Sequence, residues 1–119
     1  MPSGGDREST SGTDSIKVSM DACDNATKKA LKAAHNVEVG DYYFEAKNYA
    51  AASLRYNDAL VEKPQDPAIH VRLGRVLEKL DQLREAIEQY KTAQNLAGPE
   101  KWSDEAKRSL VRLQHPHGL

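Results

Sequence analysis

The chain has 119 residues, 29% of them Asp, Glu, Lys or Arg, and a formal net charge of −1, a length that accommodates one domain. Residues 1 to 25 hold five acids and two bases against 13 acids and 15 bases in the remainder, so neither part has the clustered basic face and high pI of a nucleic-acid binder. A single cysteine, Cys23, excludes an internal disulfide and a four-cysteine zinc site, and no window reaches the roughly 18 to 20 apolar residues of a membrane span.

Residues 1 to 24 are rich in Ser, Gly, Thr and Asp with only isolated apolar residues. Such a stretch buries too little to offset ordering entropy, and it reads as a disordered tail. The stretch from Met1 to Asn25 also lacks the apolar core of a secretory signal. The expectation is a soluble protein, cytoplasmic by default and periplasmic if the native start differs.

From Asn25 onward alanine, leucine, lysine and glutamate recur at helical spacing with no strand-like alternation, which predicts an all-α region. Asp24 or Asn25 can cap a first helix over about 25–46. Breaks near Lys47-Asn48 and Asp81-Gln82 divide the following runs into helices at 49–62, 67–80 and 83–96, with Asp66-Pro67 as a start signal. Gly98-Pro99 ends the fourth, and Ser103 followed by two acids opens a fifth over about 102–114. That last helix presents Trp102, Ala106, Leu110 and Leu113 on one stripe. Residues 115–119 read as a short tail.

Shifting the sequence against itself so that Val39 falls on Leu73 also aligns Gly40 with Gly74, Tyr43 with Leu77, Ala52 with Ala86, Tyr56 with Tyr90 and Ala59 with Ala93. Pro64 then meets Gly98, both helix terminators. A helical glycine costs about 1 kcal/mol relative to alanine, so a stable fold must offset it by close packing. That predicts contact between Gly40 and Ala52 and between Gly74 and Ala86, with Tyr43, Tyr49, Tyr56 and Tyr90 as core and Tyr42 facing a neighbouring helix. Asn36 and His70 occupy equivalent sites where a large apolar residue would pack better, which predicts modest stability or a covering partner. Leu31 has nothing in the sequence to cover it and marks a candidate end for self-association.

This period of roughly 34 residues, with its order of small, aromatic and terminating residues, resembles the tetratricopeptide repeat. The resemblance covers two repeats, 33–66 and 67–100, with residues 102–114 similar to the family's C-terminal capping helix. It implies a right-handed superhelical stack of antiparallel helix hairpins. It also implies a groove, lined by the first helix of each repeat, that holds a peptide segment or subunit of another protein. By that correspondence the groove carries Val37, Asp41, Phe44 and Glu45 from the first repeat, and Val71, Arg72, Arg75, Glu78 and Lys79 from the second. Asp41 and Arg75, equivalent positions on adjacent first helices, can pair with each other or bind a partner. The family's carboxylate-gripping branch places asparagines and lysines where this chain has Val37 and Asp41, which argues against that mode. The stretch from Lys29 to Pro64 is also loosely similar to repeats of bacterial envelope proteins that assist outer-membrane protein assembly.

Nothing in the chain spells out a catalytic constellation. His35, His70, His115 and His117 show no triad or metal-ligand spacing, Cys23 has no activating partner in sequence, and Asn25-Ala26-Thr27 matches a glycosylation acceptor with no secretory signal ahead of it. The expectation is therefore a non-catalytic scaffold or adaptor without metal or cofactor, partnered by protein, with homo-oligomerisation through exposed repeat ends as the alternative.

Overall fold

The computed structural model describes the backbone of residues 13–115 and the side chains of residues 25–115. The described residues form five helices and no strand: α1 (Thr13–Glu45), α2 (Tyr49–Glu62), α3 (Pro67–Lys79), α4 (Leu83–Asn95) and α5 (Glu100–Gln114). Neither proline nor glycine occurs between Thr13 and Val39, so no residue forces a break before Gly40. The helix thus starts before the expected residue 25: residues 13–24 are helical, and Asn25 lies inside α1 rather than capping it. The disorder expected of residues 1–12 concerns positions outside the described ones, as does His117.

Two compact units divide the chain. One, up to Leu31, is the first part of α1. The other, from Lys32 onward, contains the remainder of α1 with α2 as one hairpin, α3 with α4 as a second, and α5.

The two hairpin turns are built alike. Lys47 and Asp81, equivalent positions in the two repeats, both have positive φ (63° and 62°), and each reverses the chain so that the next N–H reaches back. Asn48 N–H donates to Tyr43 O and Gln82 N–H to Leu77 O, both at 2.8 Å, closing the last turns of α1 and α3. Asn48 then caps α2, its side chain accepting from Ala51 N–H. Asp66 caps α3 by accepting from Ala68 N–H at 2.9 Å, with Pro67 in the first turn. The expected Ser103 cap is absent: α5 starts at Glu100 after Pro99, and the Ser103 hydroxyl donates to the Glu100 carbonyl inside the helix. Proline's fixed φ sets that start without a side-chain cap.

Helix α3 is the centre of the second unit, packed by α2, α4 and α5. Its Ile69, Val71, Leu73, Val76 and Leu77 are buried, with Ala52, Tyr56 and Ala59 from α2, Ala86, Tyr90 and Ala93 from α4, and Ala106 and Leu110 from α5. Each fully buried Val, Ile or Leu stabilises by about 1.5–3 kcal/mol relative to exposure. The alanines let neighbouring helices approach, and the two tyrosines fill the spaces between.

The side chains nearest to the two helical glycines are tyrosine rings. A Cβ on Gly40 would lie 2.5 Å from Cε1 of Tyr56, and one on Gly74 would lie 2.7 Å from Cε1 of Tyr90. Gly40 and Gly74 therefore seat aromatic rings from the second helix of each hairpin. Tyr42 departs from expectation, standing 69% exposed.

Asn36 and His70 are buried, and hydrogen bonding resolves the apparent mismatch. Arg55 donates from Nη1 to Asn36 Oδ1 at 3.2 Å. His70 Nε2 stands 2.7 Å from the Pro64 carbonyl, to which its N–H can donate. Gln89 Oε1 lies 2.7 Å from His70 Nδ1, so the ring is held at both nitrogens. Since Arg55 and Gln89 are also equivalent in the repeat register, the same polar clip ties the two helices of each hairpin.

Candidate protein-interaction groove

The first helices of the two hairpins carry the expected groove residues, and the structure sorts them into three groups. Val71 is wholly buried, which removes it from any binding surface. It lies on α3, the helix packed by α2, α4 and α5. Val37 and Phe44 are half-buried and pack on the core, Phe44 with its ring edge-on to Tyr49 at 5.4 Å.

The second group is joined across helices. Asp41 accepts through Oδ1 from the Tyr56 hydroxyl (2.5 Å) and from Arg72 Nε (3.2 Å). Arg75 donates from Nε and Nη2 to both carboxylate oxygens of Glu105, at 2.6 and 2.5 Å. Glu78 receives Arg112 on both oxygens, at 2.6 and 3.0 Å, and the Tyr90 hydroxyl at 2.5 Å. The pairing of Asp41 with Arg75 does not form; the ladder is offset, Asp41 with Arg72 and Arg75 with Glu105. Paired forks of this kind fix geometry as well as adding energy.

These contacts shift the groups involved. Burial, reinforced by the Asp41 carboxylate accepting its proton, pushes the Tyr56 phenol well above its ordinary value, and burial with Glu78 does the same to Tyr90. The Glu105 hydrogen bonds hold Arg75 more firmly charged, as those of Glu78 do Arg112. At Glu78 burial acts to raise the carboxyl, but the hydrogen bonds from Arg112 and Tyr90 outweigh it and hold the group below the usual carboxylate range.

The third group stays open. Glu45 and Lys79 are exposed and enter no ion pair among the described residues. A cleft of about 210 Å³ lies between α1, α2 and α3, lined by Asp41, Phe44, Glu45, Tyr56, Arg72 and Arg75. The structure thus brings Asp41, Phe44, Glu45, Arg72 and Arg75 together, while Val71 is internal and Glu78 is engaged with α5.

In sequence Trp102 is legible only as part of the capping stripe. It does pack on the core from α5, yet its ring also lies 5.3 Å from the Arg72 guanidinium and 4.8 Å from Lys101 Nζ. Its ring attracts both cations, so Arg72 is held by Trp102 as well as by Asp41. A contact between distant positions with no counterpart in the other repeat leaves no sequence signal.

Among the described residues no group of three or more His, Cys, Asp or Glu is placed to hold a metal ion, and no described helix is long and apolar enough to cross a membrane.

Two stacked hairpins in a shared repeat register, closed by a further helix and leaving a polar cleft between first helices, define a helical-repeat protein. The tetratricopeptide repeat model matches residues 43–103, and the chain belongs to that family, whose repeats generally mediate protein–protein interaction. It is similar to tetratricopeptide repeat protein 21B of Xenopus laevis, 29% identical over 79 residues that make up 66% of this chain and 6% of the relative. The match therefore spans a small part of that relative. No solved structure matches the chain.

Proposed function

We propose that the protein is a non-catalytic adaptor that holds a segment of another protein in the cleft between α1 and α3. The supporting observation is the cleft itself: it combines the half-buried Phe44 ring with Arg72 and Arg75, whose orientations are set by Asp41, Trp102 and Glu105 before any ligand arrives. Preorganised side chains reduce the ordering cost of binding. Phe44 supplies apolar contact, Glu45 supplies a free negative charge, and Arg72 supplies a planar donor face.

A photo-crosslinking amino acid at position 44 tests this, with position 83 on α4 as the comparison. The expected result is a crosslink to a defined segment from position 44 alone. A synthetic peptide of that segment then binds the wild-type chain and binds Arg72→Glu at least ~10-fold more weakly, with helicity unchanged. Crosslinks from position 83 alone, or peptide binding indifferent to Arg72→Glu, would place the partner elsewhere.

A further inference from the structure

The two hairpins are equivalent in register but unequally covered. In the second, Ile69 and Val76 are 2% and 0% exposed, on a helix packed by the preceding α2. Their equivalents one repeat earlier are His35 and Tyr42, and both are exposed, Tyr42 by 69%. Inside the molecule, then, this position on a first helix is a packing seat; on α1 the seat is open. A large aromatic with a polar tip is a residue type enriched at protein interfaces.

The charges around the open seat point to its occupant. Glu38, Tyr42 and Glu45 follow at helical spacing, and all three are exposed. At the other end of the stack, α5 exposes Lys107, Arg108 and Val111, each base within a helical turn of the valine. These fall one repeat beyond Leu73, Gly74 and Leu77, the positions that in α3 are buried within the hairpin. Among the described residues none of Glu38, Glu45, Lys107 and Arg108 enters an ion pair. One end presents an aromatic centre flanked by acids, and the other an apolar centre flanked by bases.

We infer that the chain associates head to tail with a second copy of itself, the α1 face of Glu38, Tyr42 and Glu45 meeting the α5 face of Lys107, Arg108 and Val111. The contact is heterologous, so each added copy leaves one free face of each kind and association runs on rather than stopping at two. Charge complementarity sets register and makes the assembly salt-sensitive.

Sedimentation of the full chain across concentration, in low and in high salt, tests the inference. The average mass should rise continuously with concentration, and salt should weaken association at least ~10-fold. Two charge-reversed variants make the test specific: Glu38→Lys with Glu45→Lys, and Lys107→Glu with Arg108→Glu. Each alone should stay monomeric with unchanged helicity, because both of its ends then carry one sign, and an equimolar mixture should recover association, the two reversed faces meeting each other and the two unreversed faces likewise. A constant monomer mass for the wild type, a dimer that stops at two, or association indifferent to the α5 reversal would each overturn it.

Discussion

Gly40 seats the ring of Tyr56: a Cβ at that position would stand 2.5 Å from Tyr56 Cε1 and 2.7 Å from Cδ1. The same relation recurs between Gly74 and Tyr90, and both rings are buried, at 2% and 0% exposure. Because each tyrosine also hydrogen-bonds a carboxylate, Asp41 or Glu78, the ring cannot swing aside without breaking that bond. Gly40→Ala and Gly74→Ala should therefore each destabilise. The overpacking cost of about 1–3 kcal/mol exceeds the gain of up to about 1 kcal/mol in helix propensity. Urea unfolding followed by circular dichroism measures it, and a stabilised variant would show that the ring relaxes freely.

The hairpin turns should respond in the opposite sense. Lys47 and Asp81 hold left-handed backbone at positive φ, a region that costs most side chains about 1 kcal/mol or more. Lys47→Gly should stabilise by about 0.5–1 kcal/mol. Asp81→Gly should give less, since aspartate tolerates that region better than lysine. The shift of the urea midpoint at constant slope reads both.

Acid should weaken the link between α3 and α5. Glu78 is held below the usual carboxylate range in the folded chain, so across that window the unfolded state binds more protons. Its contribution is complete above about pH 5 and is lost as pH falls through the folded value. Arg112→Gln removes the largest lowering contact. The stability gap between wild type and Arg112→Gln should be widest near neutrality and narrow towards acid pH, as measured by urea midpoints.

Alkali acts on the two buried phenols. Tyr56 and Tyr90 are both raised above their ordinary value of 10.0 by burial and by carboxylate acceptors. A raised folded value means that their contribution is intact below about pH 10 and declines above it, where the unfolded phenols ionise first. Absorbance of tyrosinate should show these two of the five tyrosines ionising together with loss of helix signal. Tyr56→Phe and Tyr90→Phe should each reduce that coupled change.

The repeat is readable because its marks are local in sequence and doubled. Gly40 with Gly74, Tyr56 with Tyr90, and the terminators Pro64 and Gly98 recur at one interval, and helical periodicity places α2, α3 and α4 within a residue or so of their ends. The groove is readable as a face but only partly as a set of residues. Val71 lies on α3 beside Arg72, yet full cover from neighbouring helices makes it core.

By itself the sequence determined the helix hairpins, their register and the membership of the fold, because turn chemistry and helical periodicity act within a few positions. Only the tertiary structure decided that Gly40 seats the Tyr56 ring, and that the ion pairs run Asp41 to Arg72 and Arg75 to Glu105. It also decided that Tyr42 stands in the open while Val76 is covered. Those outcomes depend on how far one helix slides and rotates on the next. Equivalent residues share a register in sequence, but their partners are chosen by distances of a few ångströms across the packing interface.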